Sequence, residues 1–261
     1  CNHPHVLPLL GYCLELESPC LVFPLMRGGS FADRLWPSKA DPEHQRRLGL
    51  SAPLRPLHWQ ERLRILCQTT AALLYLHTPV PGGKGAVVHR DLKPENILLD
   101  VELNTYLADT GCAKMESSGP EVSNKKSIST VYLTKGYLDP TIGLGGAYSA
   151  ITDGFALGIT MLVALTGRSP LNIMDKCEEA FELDFHEIDA SRLVDDTAAW
   201  PLHVATAIKD LVCSAQKSLC HTSNRKRLSV ADALATLTRL ADEGESSSSG
   251  SSAVGSPAVS S

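Results

Sequence analysis

The segment Phe155-Ala156-Leu157-Gly158-Ile159-Thr160-Met161-Leu162-Val163-Ala164-Leu165 carries no charge on any face. A helix built from it has no polar side to turn to water, so it must be surrounded by protein. It also falls well short of the roughly 20 residues that span a bilayer. The run therefore predicts a central helix buried in a sizeable core, which a chain of 261 residues can supply. Just ahead stands Asp153. A carboxylate at the start of such a helix is costly unless it accepts hydrogen bonds. From local sequence alone, a helix cap and an acceptor for another segment's backbone are equally good readings.

A second segment carries chemistry. His89-Arg90-Asp91-Leu92-Lys93-Pro94-Glu95-Asn96 is followed, thirteen residues past its Asn, by Asp109-Thr110-Gly111. A hydroxyl attacking a γ-phosphate needs its proton accepted and its oxygen aimed, and Asp91 can do both. Lys93 can set a compact positive charge against the transferring phosphate. Asn96 and Asp109 offer the hard oxygen ligands that Mg²⁺ prefers, with nucleotide phosphates and water completing the shell. A surface loop with scattered charges would not reproduce this whole constellation.

These strings resemble the catalytic loop and metal loop of eukaryotic protein kinases, H-R-D-L-x-x-x-N and D-F-G. Thr134-Lys135-Gly136-Tyr137-Leu138-Asp139-Pro140-Thr141 is similar to the G-T-x-G-Y-L-D-P-E of plant receptor-like kinases, and Thr166-Gly167-Arg168-Ser169-Pro170 to their L-T-G-x-x-P. The resemblance is to the tyrosine-kinase-like group of serine/threonine kinases, and Lys93 fits the serine/threonine pattern. It implies an α+β protein-kinase-like fold, mainly a helical C-lobe with a remnant of the N-lobe sheet. The expected division is residues 1–26 as N-lobe remnant and hinge, 27–243 as C-lobe, and 244–261 as a disordered Ser/Gly-rich tail. The implied activity is transfer of the ATP γ-phosphate to protein hydroxyls, with ATP and Mg²⁺ as cofactors and a protein substrate. The alternative is a pseudokinase or scaffold module that keeps the fold without transfer.

By the same resemblance Asp91 is the catalytic carboxylate, Lys93 its partner, and Thr134 a hydroxyl bonded to both. Asn96 and Asp109 are the metal ligands. Phe23 is the gatekeeper, the Pro24 carbonyl and the Met26 N–H contact adenine, and Leu98 packs beneath it. Asp153 becomes the residue that holds the backbone of the catalytic loop. The family's glycine-rich loop, third-strand lysine and upstream-helix glutamate are not among these residues. The expectation is a partial kinase domain, a fragment or a truncated product, that by itself is helical, poor in nucleotide and unable to transfer phosphate. Two further departures bear on activity. Thr110 stands where the family has Phe, and Thr141 replaces the Glu that pairs with an arginine matched here by Arg227. Arg227 is accordingly expected to lack a partner.

The rest of the chain is read more coarsely. Val6 to Cys13 and Cys20 to Phe23 are predicted strands around a Glu-Ser-Pro turn. Gly28-Gly29-Ser30-Phe31 leads into the first helix after the hinge, and Pro37 to Pro56 reads as a loop insertion. Apolar residues from Trp59 to His77 recur at helical spacing. Ile97 to Leu99 and Thr105 to Ala108 are short strands. Two amphipathic helices follow, one through Val204, Ile208 and Leu211, the other starting at Ser229 with Asp232 in a capping-box arrangement. Ser117, Ser118, Ser123, Ser127, Ser129 and Thr130 are candidate phosphorylation sites whose phosphate Arg90 could receive, though any single one is better read as a solvated hydroxyl.

A net charge of −5 gives no reason to expect nucleic-acid binding. The eight cysteines include no Cys-x-x-Cys pair and read as scattered core thiols in a reducing compartment. No membrane segment and no signal peptide are expected, and the chain begins at Cys1 without a methionine. The expected location is cytoplasmic, either free or as the intracellular part of a membrane receptor.

Overall fold

The computed structural model describes residues 2–15, 17–50, 54–109, 114–115, 134–182 and 193–249. Thr110, Gly111 and the six candidate phosphorylation sites lie outside them. The predicted buried helix forms over Ala150–Thr166 (α5), and every residue from Thr152 onward is buried. Ser149 starts it in a capping box with Thr152, and Gly167 ends it in the left-handed conformation that favours glycine. α5 packs against Leu202–Cys213 (α7) and Trp59–His77 (α3), and α3 in turn lies along Val230–Ser249 (α8). Two glycines permit close approach. A Cβ on Gly158 would sit 2.6 Å from the Cys220 sulfur, and one on Gly244 would sit 2.6 Å from the Trp59 ring.

A buried cation fastens this bundle. Arg62 on α3 is 1 % exposed and donates to the Leu57 carbonyl at 3.0 Å, the Ala164 carbonyl at 2.8 Å and Asp195 Oδ2 at 2.6 Å. Burial alone would push the Asp195 carboxyl up, but bonds from Thr197 and the charge of Arg62 hold it below the usual carboxylate range.

The sheet elements are short. Gly11–Cys13 (β1) pairs antiparallel with Cys20–Val22 (β2). A second sheet has the order Gly29–Ser30 (β3), Ile97–Leu99 (β5), Thr105–Leu107 (β6), all antiparallel. Val87–Val88 (β4) pairs with Lys114–Met115 (β7). Phe31–Leu35 (α1) follows β3 directly, with Ser30 and Asp33 closing a capping box. Pro140–Gly143 (α4) and Ile173–Glu182 (α6) are two further helices.

Three expectations need correction. The Val6–Cys13 strand begins only at Gly11, because Pro4 and Pro8 lack the N–H that a continuous ladder needs. Instead Leu7 N donates to Leu107 O at 2.9 Å and Leu107 N to His5 O at 2.8 Å, docking this segment beside β6. The Pro37–Pro56 loop contains a helix, Pro42–Leu48 (α2). Asp41 caps its start, proline takes its first turn, and Gly49 ends it at φ 74°. The tail expected from residue 244 is helical through Ser249 as the end of α8, and 250–261 lie outside the described residues.

The six cysteines among the described residues are not uniformly core. Cys177 and Cys220 are buried, whereas Cys20 is exposed. The β1–β2 region also shows water a group of large apolar side chains, among them Leu10, Tyr12, Leu14, Leu21 and Leu25. No helix of the described residues is long and apolar enough to cross a membrane.

Candidate active site

The loop after β4 is hung on one carboxylate. Asp153, 2 % exposed on α5, accepts from His89 N at 2.7 Å and from Arg90 N at 2.8 Å. His77, at the end of α3, meets the same Oδ2 with Nε2 at 2.7 Å. Asp153 is therefore the backbone holder, and the helix cap is Ser149. Arg90 takes φ 73°, a left-handed turn that these two amide bonds help to maintain. His89 is fully buried. Asp91 N donates to its Nδ1 at 3.3 Å, so its Nε2 carries the proton and donates to Ala108 O at 2.9 Å.

Asp91 emerges from that turn with its carboxylate shared among three donors. Lys93 Nζ donates to Oδ2 at 2.7 Å, Asn96 Nδ2 to Oδ2 at 3.0 Å, and Thr134 Oγ1 to Oδ1 at 2.9 Å. Lys93 Nζ also donates to Thr134 Oγ1 at 2.9 Å, and Asn96 Nδ2 to the Asp91 carbonyl at 2.7 Å. Asp91, Lys93, Asn96 and Thr134 thus converge, although Thr134 lies 43 residues from Asp91.

Asp109 is brought alongside through the residue before it. The Ala108 amide donates to Asn96 O at 2.9 Å while its carbonyl accepts from His89, so the peptide is clamped on both sides. Asp109 itself is exposed and takes φ 57°. Asn96 spends its amide nitrogen on Asp91, which leaves its carbonyl oxygen as the group available to a cation. One amide oxygen and one carboxylate are a sparse set, and among the described residues no cluster of three or more His, Cys, Asp or Glu could hold a metal alone. That suits a cation that keeps its waters and takes the remaining ligands from phosphates.

The proposed adenine contacts lie on a different element. Pro24 and Met26 are half-buried in the stretch between β2 and β3. Its exit is pressed against β5, where Gly28 N donates to Leu99 O at 2.8 Å. A Cβ at Gly28 would stand 2.1 Å from Asp100 O, so only glycine fits there. Leu98 is half-buried and is the register partner of Ser30. None of Pro24, Met26 and Leu98 is hydrogen-bonded to the Asp91 group among the described residues.

The expectation that Arg227 lacks a partner is wrong. Arg227 forms a two-pronged ion pair with Asp139, Nη1 to Oδ2 and Nη2 to Oδ1, the second at 3.1 Å. The two side chains are 3 % and 0 % exposed. Asp139 also caps α4, accepting from Thr141 N at 2.9 Å and Thr141 Oγ1 at 2.8 Å. The short Asp side chain, two residues upstream of the position expected to carry the acid, reaches Arg227 because α4 begins there. Sequence reading missed this pair and the His77 contact. The only available signals were an Asp directly before a Pro at a helix start and a His at the last apolar-periodic position.

The comparisons agree with this geometry. A family model described as "Protein kinase domain" matches residues 1–237. The chain is 37 % identical over 172 residues to a nodulation receptor kinase of Pisum sativum, covering 66 % of this chain and 17 % of that protein. It is 35 % identical over 212 residues to U-box domain-containing protein 51 of Arabidopsis thaliana, covering 78 % and 24 %. It is 31 % identical over 255 residues to EPD1-interacting receptor-like cytoplasmic serine/threonine-protein kinase 5D of Gossypium barbadense, covering 94 % and 50 %. The chain spans half or less of the length of each of these relatives. A loop hung from the buried helix by Asp153, four converging side chains around Asp91 and a family match over most of its length together show that the chain belongs to the protein kinase domain family, alongside plant receptor-like and cytoplasmic serine/threonine kinases.

Proposed function

We propose that this chain is the catalytic part of an ATP- and Mg²⁺-dependent protein serine/threonine kinase. The observation that carries the reading is the hydrogen-bond count around Asp91 and Lys93. A carboxylate has about four acceptor sites, and three donors reach Asp91. One site, on Oδ1, remains to take the proton of an incoming serine or threonine hydroxyl. An ammonium has three donors, and Lys93 directs two of them at Asp91 and Thr134. The third can meet an oxygen of the transferring phosphoryl group, where negative charge spreads in the transition state. Each partner fixes the other and keeps one hydrogen-bonding position for substrate.

Asn96 and Asp109 would hold Mg²⁺ together with the nucleotide phosphates, and the cation when bound would neutralise charge on the phosphate oxygens. The Pro24 carbonyl and Met26 N–H would contact adenine with Leu98 beneath it, which makes 1–26 the lobe remnant and hinge and 27–243 the body carrying the chemistry. The protein substrate would approach from the Asp91 side. A cytoplasmic location is the matching reading, and the Gossypium barbadense relative is called a receptor-like cytoplasmic kinase.

The test is Asp91→Asn in the full-length protein, followed as transfer of labelled γ-phosphate to a serine/threonine peptide mixture. Asparagine keeps the size and loses the proton acceptor, so transfer should fall by at least about 10²-fold. Turnover close to wild type would overturn the assignment.

A further inference from the structure

We propose that Cys13 and Cys20 form a reversible disulfide across the β1–β2 hairpin, a thiol pair that responds to oxidation at the entry to the hinge. The two residues are direct Cα partners in the antiparallel register, next to the Tyr12–Leu21 and Gly11–Val22 pairs. Directly opposed residues of an antiparallel pair project to the same face. Their Cα atoms lie about 4.5 or 5.5 Å apart depending on the ladder position, and both values fall inside the roughly 4.4–6.8 Å window a disulfide requires. Both thiols are free, Cys13 half-buried and Cys20 exposed, so an oxidant reaches Cys20 first and finds its partner already opposite.

Cys67, Cys177 and Cys220 are poorly suited to compete. Burial pushes the Cys67 thiol up to about 12, with the charge of Asp242 adding to it, and holds Cys220 well above its usual value. Cys177 is buried. Thiolate is the reacting form, so these groups attack slowly.

The reaction balances with a low-molecular-weight disulfide as oxidant. The Cys20 thiolate attacks one sulfur of the oxidant, forming a mixed disulfide and releasing one thiolate. The Cys13 thiolate then attacks Cys20 Sγ, forming the intramolecular bond and releasing the second. Two protein thiols are oxidised, one small disulfide is reduced to two thiols, and the protons lost by the protein are taken up by the leaving thiolates. An exposed bridge of this kind is open to attack by reducing thiols, which makes the change reversible. β2 runs directly into Phe23-Pro24-Leu25-Met26, so the bridge would fasten the hairpin whose second strand enters the hinge.

The test is native incubation of the whole chain with oxidised glutathione, alkylation of the remaining thiols, and cleavage after Glu15 and Glu17. The bridge should keep the peptide containing Cys13 joined to the peptide containing Cys20, two hydrogens lighter than the separate peptides combined. Added dithiothreitol should separate them. Cys13→Ser and Cys20→Ser should each abolish the link, and Cys1→Ser should leave it intact. Stable glutathione on Cys20 with Cys13 alkylated would overturn the proposal. A link that survives Cys13→Ser, or that forms no more selectively in the native chain than in urea, would also overturn it.

Discussion

Replacing Asp139 by Asn isolates the charge of the buried Asp139–Arg227 pair. The substitution keeps the volume and leaves an oxygen that can still cap α4 through Thr141. It removes the negative charge that Arg227 faces with two nitrogens. Breaking a buried pair by removing one partner costs about 3–5 kcal/mol, because the surviving charge stays desolvated. Arg227 keeps its bond to His221 O at 2.8 Å and lies 5.4 Å from the Phe155 ring centroid, so the lower end applies. At about 2–4 °C per kcal/mol for a chain of this size, a loss of ~3 kcal/mol lowers Tm by roughly 6–12 °C. Calorimetry or a circular-dichroism melt at neutral pH reads this directly. The double variant Asp139→Leu/Arg227→Met should recover much of the loss, since an apolar pair of similar volume avoids the desolvation cost.

The same pair predicts an acid limb. Burial raises the Asp139 carboxyl, but the bonds from Arg227 and Thr141 outweigh it and hold it below its ordinary value of 3.8. A depressed folded-state value contributes stability that is complete above pH ~4 and is lost as pH falls through the lower native value. Asp139→Asn should therefore flatten the fall in stability below pH ~4. Thr141→Glu should bring no gain, because Arg227 already has its counter-charge and a second carboxylate would sit beside Asp139. A Tm change of under about 2 °C in Asp139→Asn, or clear stabilisation by Thr141→Glu, would refute this account of the pair.

Three more substitutions probe the site. Thr134→Val removes the hydroxyl between Asp91 and Lys93 at nearly constant volume. Phosphate transfer should drop while stability falls by only about 0.5–1.5 kcal/mol, and equal wild-type and variant rates would discount the Thr134 contact. Asp153→Asn turns one acceptor toward the catalytic loop into a donor, leaving a buried group unmet at about 1–3 kcal/mol. The urea midpoint should fall and transfer with it. Gly28→Ala places a methyl 2.1 Å from Asp100 O and 2.6 Å from Leu99 O. It should cost at least about 1–3 kcal/mol as an overpacked contact with backbone, read as a lower midpoint and weaker nucleotide binding.

Sequence reading succeeded where one segment contains its own reason. An uncharged run of eleven residues can only be an enclosed helix, and α5 is one. The short strands after the loop, Ile97–Leu99 and Thr105–Leu107, were legible from their apolar pattern, and Asp91, Lys93, Asn96 and Thr134 converge as the family resemblance implied. The reading failed where the deciding partner is remote or geometric. Asp139 and Arg227 are 88 residues apart, and nothing local says that a cap residue will also meet a distant cation. Arg62 falls within the periodic Trp59–His77 segment, and its partner Asp195 lies 133 residues on. α2 was missed for another reason. Its charged, proline-bearing composition suggested a loop, although Asp41-Pro42 and Gly49 supply a proper start and stop.

Hanging the catalytic loop from α5 has a consequence for its motions. His89 and Arg90 stand in irregular backbone, where amide hydrogens ordinarily exchange with solvent through small local openings. Their two N–H groups instead point at a carboxylate that is 2 % exposed on a helix buried from Thr152 onward. Freeing either breaks a charge-assisted bond to a carboxylate buried among the helices. Deuterium uptake at these two amides should therefore follow the global opening of the bundle, with protection like that of α5 itself. The proposed catalytic loop has the outward look of a connection, and its two amides are predicted to open only with the core.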